Sequence, residues 1–351
     1  MVKQRYLSFI LIGVIFMGIV SVCDISAAEN IMESAIQTLQ QQGIKEDHDG
    51  MLILKRYAHY FSEINQGNAY GHWDVAGGKQ NPPVYDFVAF SVMAYKGTVD
   101  KIVENTLAGK DAFEGLTGLL ERAYISEVDQ VLDSYILYVP KNYDATRKYP
   151  LVVMLHGLGE GAYLAVTTSS HQPFLEACEA HQFIMVAPNG KNHPDLDLQH
   201  PTWGASFYAN EGEQDVLQVI KLAQKAYNID EKRIYLTGCS MGGYGTWHVG
   251  SRQTDLFAAI APVCGVGSGL AGHFKIPVID VNLLKNTPVY VFHGNIDPTV
   301  PVTESRELVN GLREIGADVT YEEFPGVQHN AWDFAYNNDR LWQWFLKHPK
   351  P

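Results

Sequence analysis

The sequence predicts an α/β fold, a mostly parallel sheet with helices on both faces, carried by the C-terminal part of the chain. Three observations predict it. Short, continuous apolar runs such as Leu151–Leu155 and Phe183–Ala187 have the pattern of strands buried on both faces, not of strands with one wet face. Segments with helical apolar spacing separate most of these runs, and strand–helix alternation is how parallel strands are connected. Finally, Gly238-Cys239-Ser240-Met241-Gly242 joins the end of one such run to the start of a helical segment, a tight turn with a serine at its apex.

The elements follow in chain order. Lys3 and Arg5 precede an almost wholly apolar run from Leu7 to Val22, and Ser26-Ala27-Ala28 supplies the small residues of a cleavage site. This is the layout of a signal peptide, residues 1–28, with Glu29 as the first mature residue and a secreted or periplasmic product. The apolar run is short for a membrane span. Val22 stands where a lipoprotein site at Cys23 wants a small residue, so neither a lipid anchor nor stable membrane association is expected after cleavage.

Residues 29–123 read as a mainly helical region. Ile31–Leu39, His48–Ile64, Phe87–Tyr95 and Val99–Leu107 carry apolar residues at helical spacing, and Gly67–Pro83 reads as a loop. No chemical motif falls here, and the region's role is not legible. Residues 124–351 carry the α/β pattern. Strands are expected at Tyr135–Val139, Leu151–Leu155, Phe183–Ala187, Arg233–Thr237, Phe257–Val263, Val289–His293 and Val319–Phe324. Helices are expected at Val216–Tyr227, led by acidic Glu211, Glu213 and Asp215, at Met241 to about Val249, at Glu304–Ile315, and at Trp332–Leu346 as the closing element. The whole chain has 351 residues, 46% of them hydrophobic, and a net charge of -13. That balance argues against nucleic acid or an anionic membrane as a partner.

Ser240 becomes a nucleophile only if a base takes its proton, and a histidine base needs a carboxylate to hold its tautomer. Asp297, in His293-Gly294-Asn295-Ile296-Asp297-Pro298, follows one predicted strand, and His329, in Gly326-Val327-Gln328-His329-Asn330, follows the next. Both lie at C-terminal strand ends, where an open α/β sheet places its site. Ser240, Asp297 and His329 are therefore the catalytic candidates. Asp333 lies too close to His329 in sequence to orient it, Glu304 reads as the start of a helix, and His156 and His293 read as loop supports. Asp215 reads as a helix-start acid or a tie on a loop near the site. The backbone N–H groups of Leu158 and Met241 are the expected oxyanion donors. The loop over residues 188–211 carries His193, His200, Trp203, Phe207 and Tyr208. Its aromatics either stack on a substrate or pin the loop to the core, and Trp203 is the candidate pocket wall. The two histidines lack ligand spacing, so neither a metal nor another cofactor is expected. Cys239 and Cys264 lie at the ends of neighbouring predicted strands. They either form a bridge or pack as small buried side chains.

With these residues in view, residues from about 124 to 350 resemble the α/β-hydrolase superfamily. They look most like secreted bacterial esterases of the feruloyl and acetylxylan esterase, polyhydroxybutyrate depolymerase and prolyl oligopeptidase-like group. The carrying stretches are Tyr149–Gly157, Gly238–Gly243, His293–Pro301 and His329–Trp332. The resemblance implies a carboxylic-ester hydrolase with Ser240 as nucleophile, His329 as base and Asp297 as its partner, acting on small-molecule or polysaccharide esters. A serine peptidase acting on small peptides uses the same residues. A binding protein with this fold and an idle site is the third reading. Oligomeric state is not legible.

Overall fold

Uninterrupted apolar runs build the centre of the molecule. The computed structural model describes residues 22–65, 72–73, 80–81, 96–158, 161–162, 164–167, 172–190 and 208–351. The described residues fall into two units, one drawn from residues 1–70 and 90–114, the other from 71–89 and 115–351.

The first unit holds three helices: α1 (Val22–Gln41), α2 (Asp49–Asn65) and α3 (Lys96–Leu107). They pack pairwise on one another. Met32, Ala35 and Leu39 of α1 share one face by their spacing and are buried, as are Met51, Ile53, Leu54, Tyr57 and Phe61 of α2 and Val99 and Ile102 of α3. Asn105 Nδ2 donates to the carbonyls of Ala112 and Glu114, at 3.2 and 2.9 Å, and so fastens the turn after α3. Helix α1 runs through the expected cleavage site. The helix expected at Phe87–Tyr95 lies outside the described residues. Within the expected loop Gly67–Pro83, His72–Trp73 and Gln80–Asn81 pair as a two-residue antiparallel ladder.

The second unit is built on an eight-stranded sheet. Its strands are β1 (Gly118–Ile125), β2 (Leu132–Val139), β3 (Tyr149–Leu155), β4 (Ile184–Pro188), β5 (Ile229–Cys239), β6 (Ala259–Val263), β7 (Val289–Gly294) and β8 (Val319–Phe324). Their spatial order is β8-β7-β6-β5-β3-β4-β2-β1. β1 with β2, and β2 with β4, run antiparallel; every other pair is parallel. Strand β1 was not foreseen. Glu121 and Arg122 interrupt its apolar pattern, yet both are buried. β5 starts earlier than expected because polar Asp230–Arg233 form an irregularity in its register with β3.

The helices beside this sheet are α4 (Gln172–His181), α5 (Glu211–Ala226), α6 (Met241–Arg252), α7 (Thr303–Glu314) and α8 (Asp339–Lys347). The single closing helix expected over Trp332–Leu346 is two pieces, a turn at Trp332–Ala335 and then α8. The break is chemical: the Asn338 side chain accepts from Arg340 N–H at 3.0 Å and caps α8. An aromatic cluster then fixes the chain's end to the sheet. Phe174 meets Trp342 edge-on at 4.9 Å, and Tyr235 stacks on Phe345 at 4.8 Å. Trp342 Nε1 donates to Tyr336 O, and the Tyr336 hydroxyl lies 3.2 Å from Thr237 Oγ1 on β5. The segment just beyond His329 is thus held to the strand that carries Ser240.

Candidate active site

Ser240 sits between β5 and α6 with φ 56° and ψ −113°. That positive φ is strained for a residue with a side chain, at a cost of about 1–3 kcal/mol. Two backbone bonds hold it, Ser240 N–H to Val263 O at 2.9 Å and Tyr244 N–H to Ser240 O at 3.0 Å. The flanking glycines are demanded by contact. A Cβ on Gly238 would lie 2.6 Å from both Leu155 O and Gly242 O, and one on Gly242 only 2.0 Å from Leu155 O. The start of α6 therefore packs directly on the end of β3.

The loops after β7 and β8 bring the other two candidates to this turn. His329 Nε2 lies 2.8 Å from Ser240 Oγ, and its Nδ1 lies 2.6 Å from Asp297 Oδ2. A carboxylate only accepts, so Nδ1 carries the proton and the Nε2 lone pair faces the serine hydroxyl. Asp297 Oδ1 accepts from the N–H groups of Thr299 and Val300, at 2.8 and 2.9 Å. Burial pushes the Asp297 carboxyl up, but hydrogen bonds from His293, His329 and Val300 outweigh it and hold the group well below the usual carboxylate range. It stays an anion throughout the neutral range. The Asp297 side chain is wholly buried, whereas that of His329 is 20% exposed.

His293 supports the Asp297 loop, as expected. Its Nε2 lies 2.9 Å from Val300 O and 3.3 Å from Asp297 Oδ2, and its Nδ1 lies 2.7 Å from Ser305 Oγ. His156 likewise supports loops. Its ring nitrogens meet Gly157 O at 2.8 Å and Asn189 O at 2.7 Å, and complete burial lowers its pKa. Asn189, which sequence reasoning missed, adds bonds to Ala162 N–H and Ser134 O; its only signal was the Pro188-Asn189-Gly190 turn. Glu304 lies in the first turn of α7, and it also accepts from Gly267 N–H at 2.9 Å and Leu270 N–H at 3.2 Å, bracing the loop after β6. Asp333 accepts from Asn330 Nδ2 at 2.7 Å. Asp215 accepts from Tyr124 OH at 2.5 Å, tying α5 to β1.

Met241 is the first residue of α6, where an N–H has no partner within the helix. Leu155 pairs with Gly238, so the segment bearing Leu158 and the turn bearing Met241 leave neighbouring strand ends. Tyr208 is buried, and its hydroxyl accepts from His156 N–H at 2.9 Å, which pins that end of its loop to the core. Trp203, Phe207, His193 and His200 lie outside the described residues. Cys239 and Cys264 form no disulfide. Cys264 Sγ instead donates to the carbonyl oxygen of His329 at 3.5 Å. The Trp332 ring stands edge-on to His329, 5.4 Å between centroids.

Residues 142–338 match the phospholipase/carboxylesterase family, more than half of the 351-residue chain. A protein named probable feruloyl esterase C, of Aspergillus terreus, is 29% identical over 183 residues, 50% of this chain and 59% of that one. A bifunctional acetylxylan esterase/xylanase of Neocallimastix patriciarum is 29% identical over 181 residues, 51% of this chain and 23% of its own. The chain thus spans less than two thirds of the length of these relatives. A crystal structure of a thermostable esterase superposes with a TM-score of 0.52 at 31% identity, covering 66% of this chain and 63% of that one. With an eight-stranded, mostly parallel sheet and a family match across the body of that sheet, the chain belongs to the phospholipase/carboxylesterase family of α/β-hydrolases.

Proposed function

We propose that this enzyme is a secreted or periplasmic serine carboxylic-ester hydrolase that works through Ser240, His329 and Asp297. The observation that carries the reading is His329, whose Nε2 lies 2.8 Å from Ser240 Oγ while its Nδ1 lies 2.6 Å from Asp297 Oδ2. Ser240 Oγ attacks the ester carbonyl as Nε2 takes its proton. The carbonyl oxygen becomes an anion, received by the backbone N–H groups of Met241 and Leu158. The C–O bond to the alcohol then breaks, and His329 hands its proton to the leaving oxygen. Water repeats the sequence on the acyl-serine, releasing the acid and restoring Ser240. Asp297 holds the tautomer and stabilises the imidazolium in both halves.

Acyl esters of polysaccharides, feruloyl or acetyl, are the substrate class we assign. The two enzyme relatives above support it, since their names specify feruloyl and acetylxylan esters. Trp203 is retained as the candidate contact for the sugar or phenolic ring, on its sequence position alone. The test is hydrolysis of p-nitrophenyl esters from acetate to decanoate, followed by acetylated and feruloylated saccharides. Short acyl chains are expected to turn over fast, and Ser240→Ala to abolish the reaction. Cleavage of small peptides in preference to every ester would replace this reading with the peptidase one.

A further inference from the structure

Cys264 has no part in the ester chemistry, yet it lies against it. It follows β6 with φ 39°, its side chain is buried, and Sγ donates to the carbonyl oxygen of His329. One donor atom from each of Cys264, Asp297 and His329 lies within 4.8 Å of the other two. No other trio of His, Cys, Asp or Glu among the described residues meets that condition. The three residues stand on the loops after β6, β7 and β8, adjacent strands in the sheet, so the fold itself gathers them.

We propose that Cys264, Asp297 and His329 form an inhibitory site for a thiophilic divalent cation of the zinc type. A thiolate, an imidazole and a carboxylate are the three donor classes zinc takes. Three protein ligands with a fourth position open to water is an established zinc geometry. Metal–ligand bonds of about 2.0–2.3 Å set tetrahedral donors roughly 3.3–3.8 Å apart, so His329 Nδ1 and Asp297 Oδ2, now 2.6 Å apart, have to open to admit the ion. The Asp297 carboxylate needs no deprotonation. The 20% exposure of the His329 side chain gives the ion its way in. The bond between His329 Nδ1 and Asp297 competes with the ion, which makes this a site for reversible inhibition rather than for a resident metal.

The proton balance gives the consequence. The Cys264 thiol loses its proton to become a ligand. To ligate through Nδ1, neutral His329 gives up the proton there and takes one at Nε2. One proton leaves per ion bound. His329 then presents an N–H to Ser240 Oγ in place of a lone pair and can no longer accept the serine proton. The ion stops catalysis without touching Ser240.

Only the inhibition rests on the proposed catalytic reading; the binding does not, and the test separates them. Ser240→Ala protein, which keeps all three ligands, is titrated with Co2+ and followed by absorption. One cobalt per chain and a thiolate-to-cobalt charge-transfer band in the near ultraviolet are expected. In the same background Cys264→Ser should lose the band and at least about tenfold in affinity, whereas Cys178→Ser should keep both. Asp297→Asn should keep the band and lose affinity, so a Cys264 variant that misfolds does not end the test. On the active enzyme, Zn2+ should inhibit ester hydrolysis, a chelator should restore it, and Cys264→Ser should tolerate about tenfold more zinc. Absence of the charge-transfer band, or equal zinc sensitivity with and without Cys264, overturns the proposal.

Discussion

Asp297 uses both carboxylate oxygens: Oδ1 accepts two backbone N–H groups and Oδ2 faces His329 and His293. Four donors on one buried anion explain why its carboxyl lies so far down, and they suit the proposed role of an orienter, not a proton carrier. Asp297→Asn keeps the size but presents an amide where Nδ1–H needs an acceptor, which favours the wrong His329 tautomer. A fall in kcat of about 10³–10⁴-fold with a much smaller change in KM is expected, read from steady-state kinetics. That the candidates Ser240, Asp297 and His329 adjoin was legible because each sits in a short motif just after an apolar run, in the order this fold uses. Ser305, Asn189 and the placement of Cys264 beside His329 were not. Their roles come from contacts between loops far apart in sequence, such as His293 with Ser305 and His156 with Asn189, and no local pattern encodes them.

Among the elements, β3, β4 and β7 were readable from continuous apolar runs. β1 was hidden by a buried Glu121-Arg122 pair. The α8 boundary was hidden because the aromatic spacing continues through Asn337-Asn338 while a side-chain cap breaks the helix there. Glu213 governs how two helices meet. From the first turn of α5 it accepts from Arg252 Nε and Gln253 Nε2, each at 2.7 Å, at the C-terminal end of α6. Burial raises its pKa, but His248 at 3.4 Å and the bonds from Gln253 and Arg252 prevail and bring it down to about 2. The folded carboxyl therefore holds its proton less tightly than the unfolded one. The stability this contributes is complete above the ordinary glutamate value of 4.5 and is lost as pH falls toward about 2. Glu213→Gln should cost roughly 1–2 kcal/mol at neutral pH, discounted for the exposed Arg252 partner. Denaturant melts should show that gap closing as pH falls below 4.5. A gap unchanged down to pH 2 would reject the assignment.

For the whole molecule, the described residues divide into a helical unit and a sheet unit, and β1 draws residues from 118 onward into the sheet. Among the described residues no helix is long and apolar enough to cross a membrane, and the apolar run that begins at Leu7 lies almost wholly before them. Export with cleavage after Ala28 is the proposal for this end. N-terminal sequencing of protein recovered outside the cytoplasm should begin at Glu29, and an intact Met1 on exported protein would refute cleavage. The central claim is that Ser240 is the nucleophile, activated by His329. A fluorophosphonate reports on it directly, because an activated serine oxygen displaces fluoride from phosphorus and keeps the phosphonyl group. Intact mass and peptide mapping should find one phosphonyl group per chain, on Ser240, with none on Ser240→Ala and far slower labelling of His329→Ala. An enzyme that stays unlabelled, or a label on any other residue, would contradict the account.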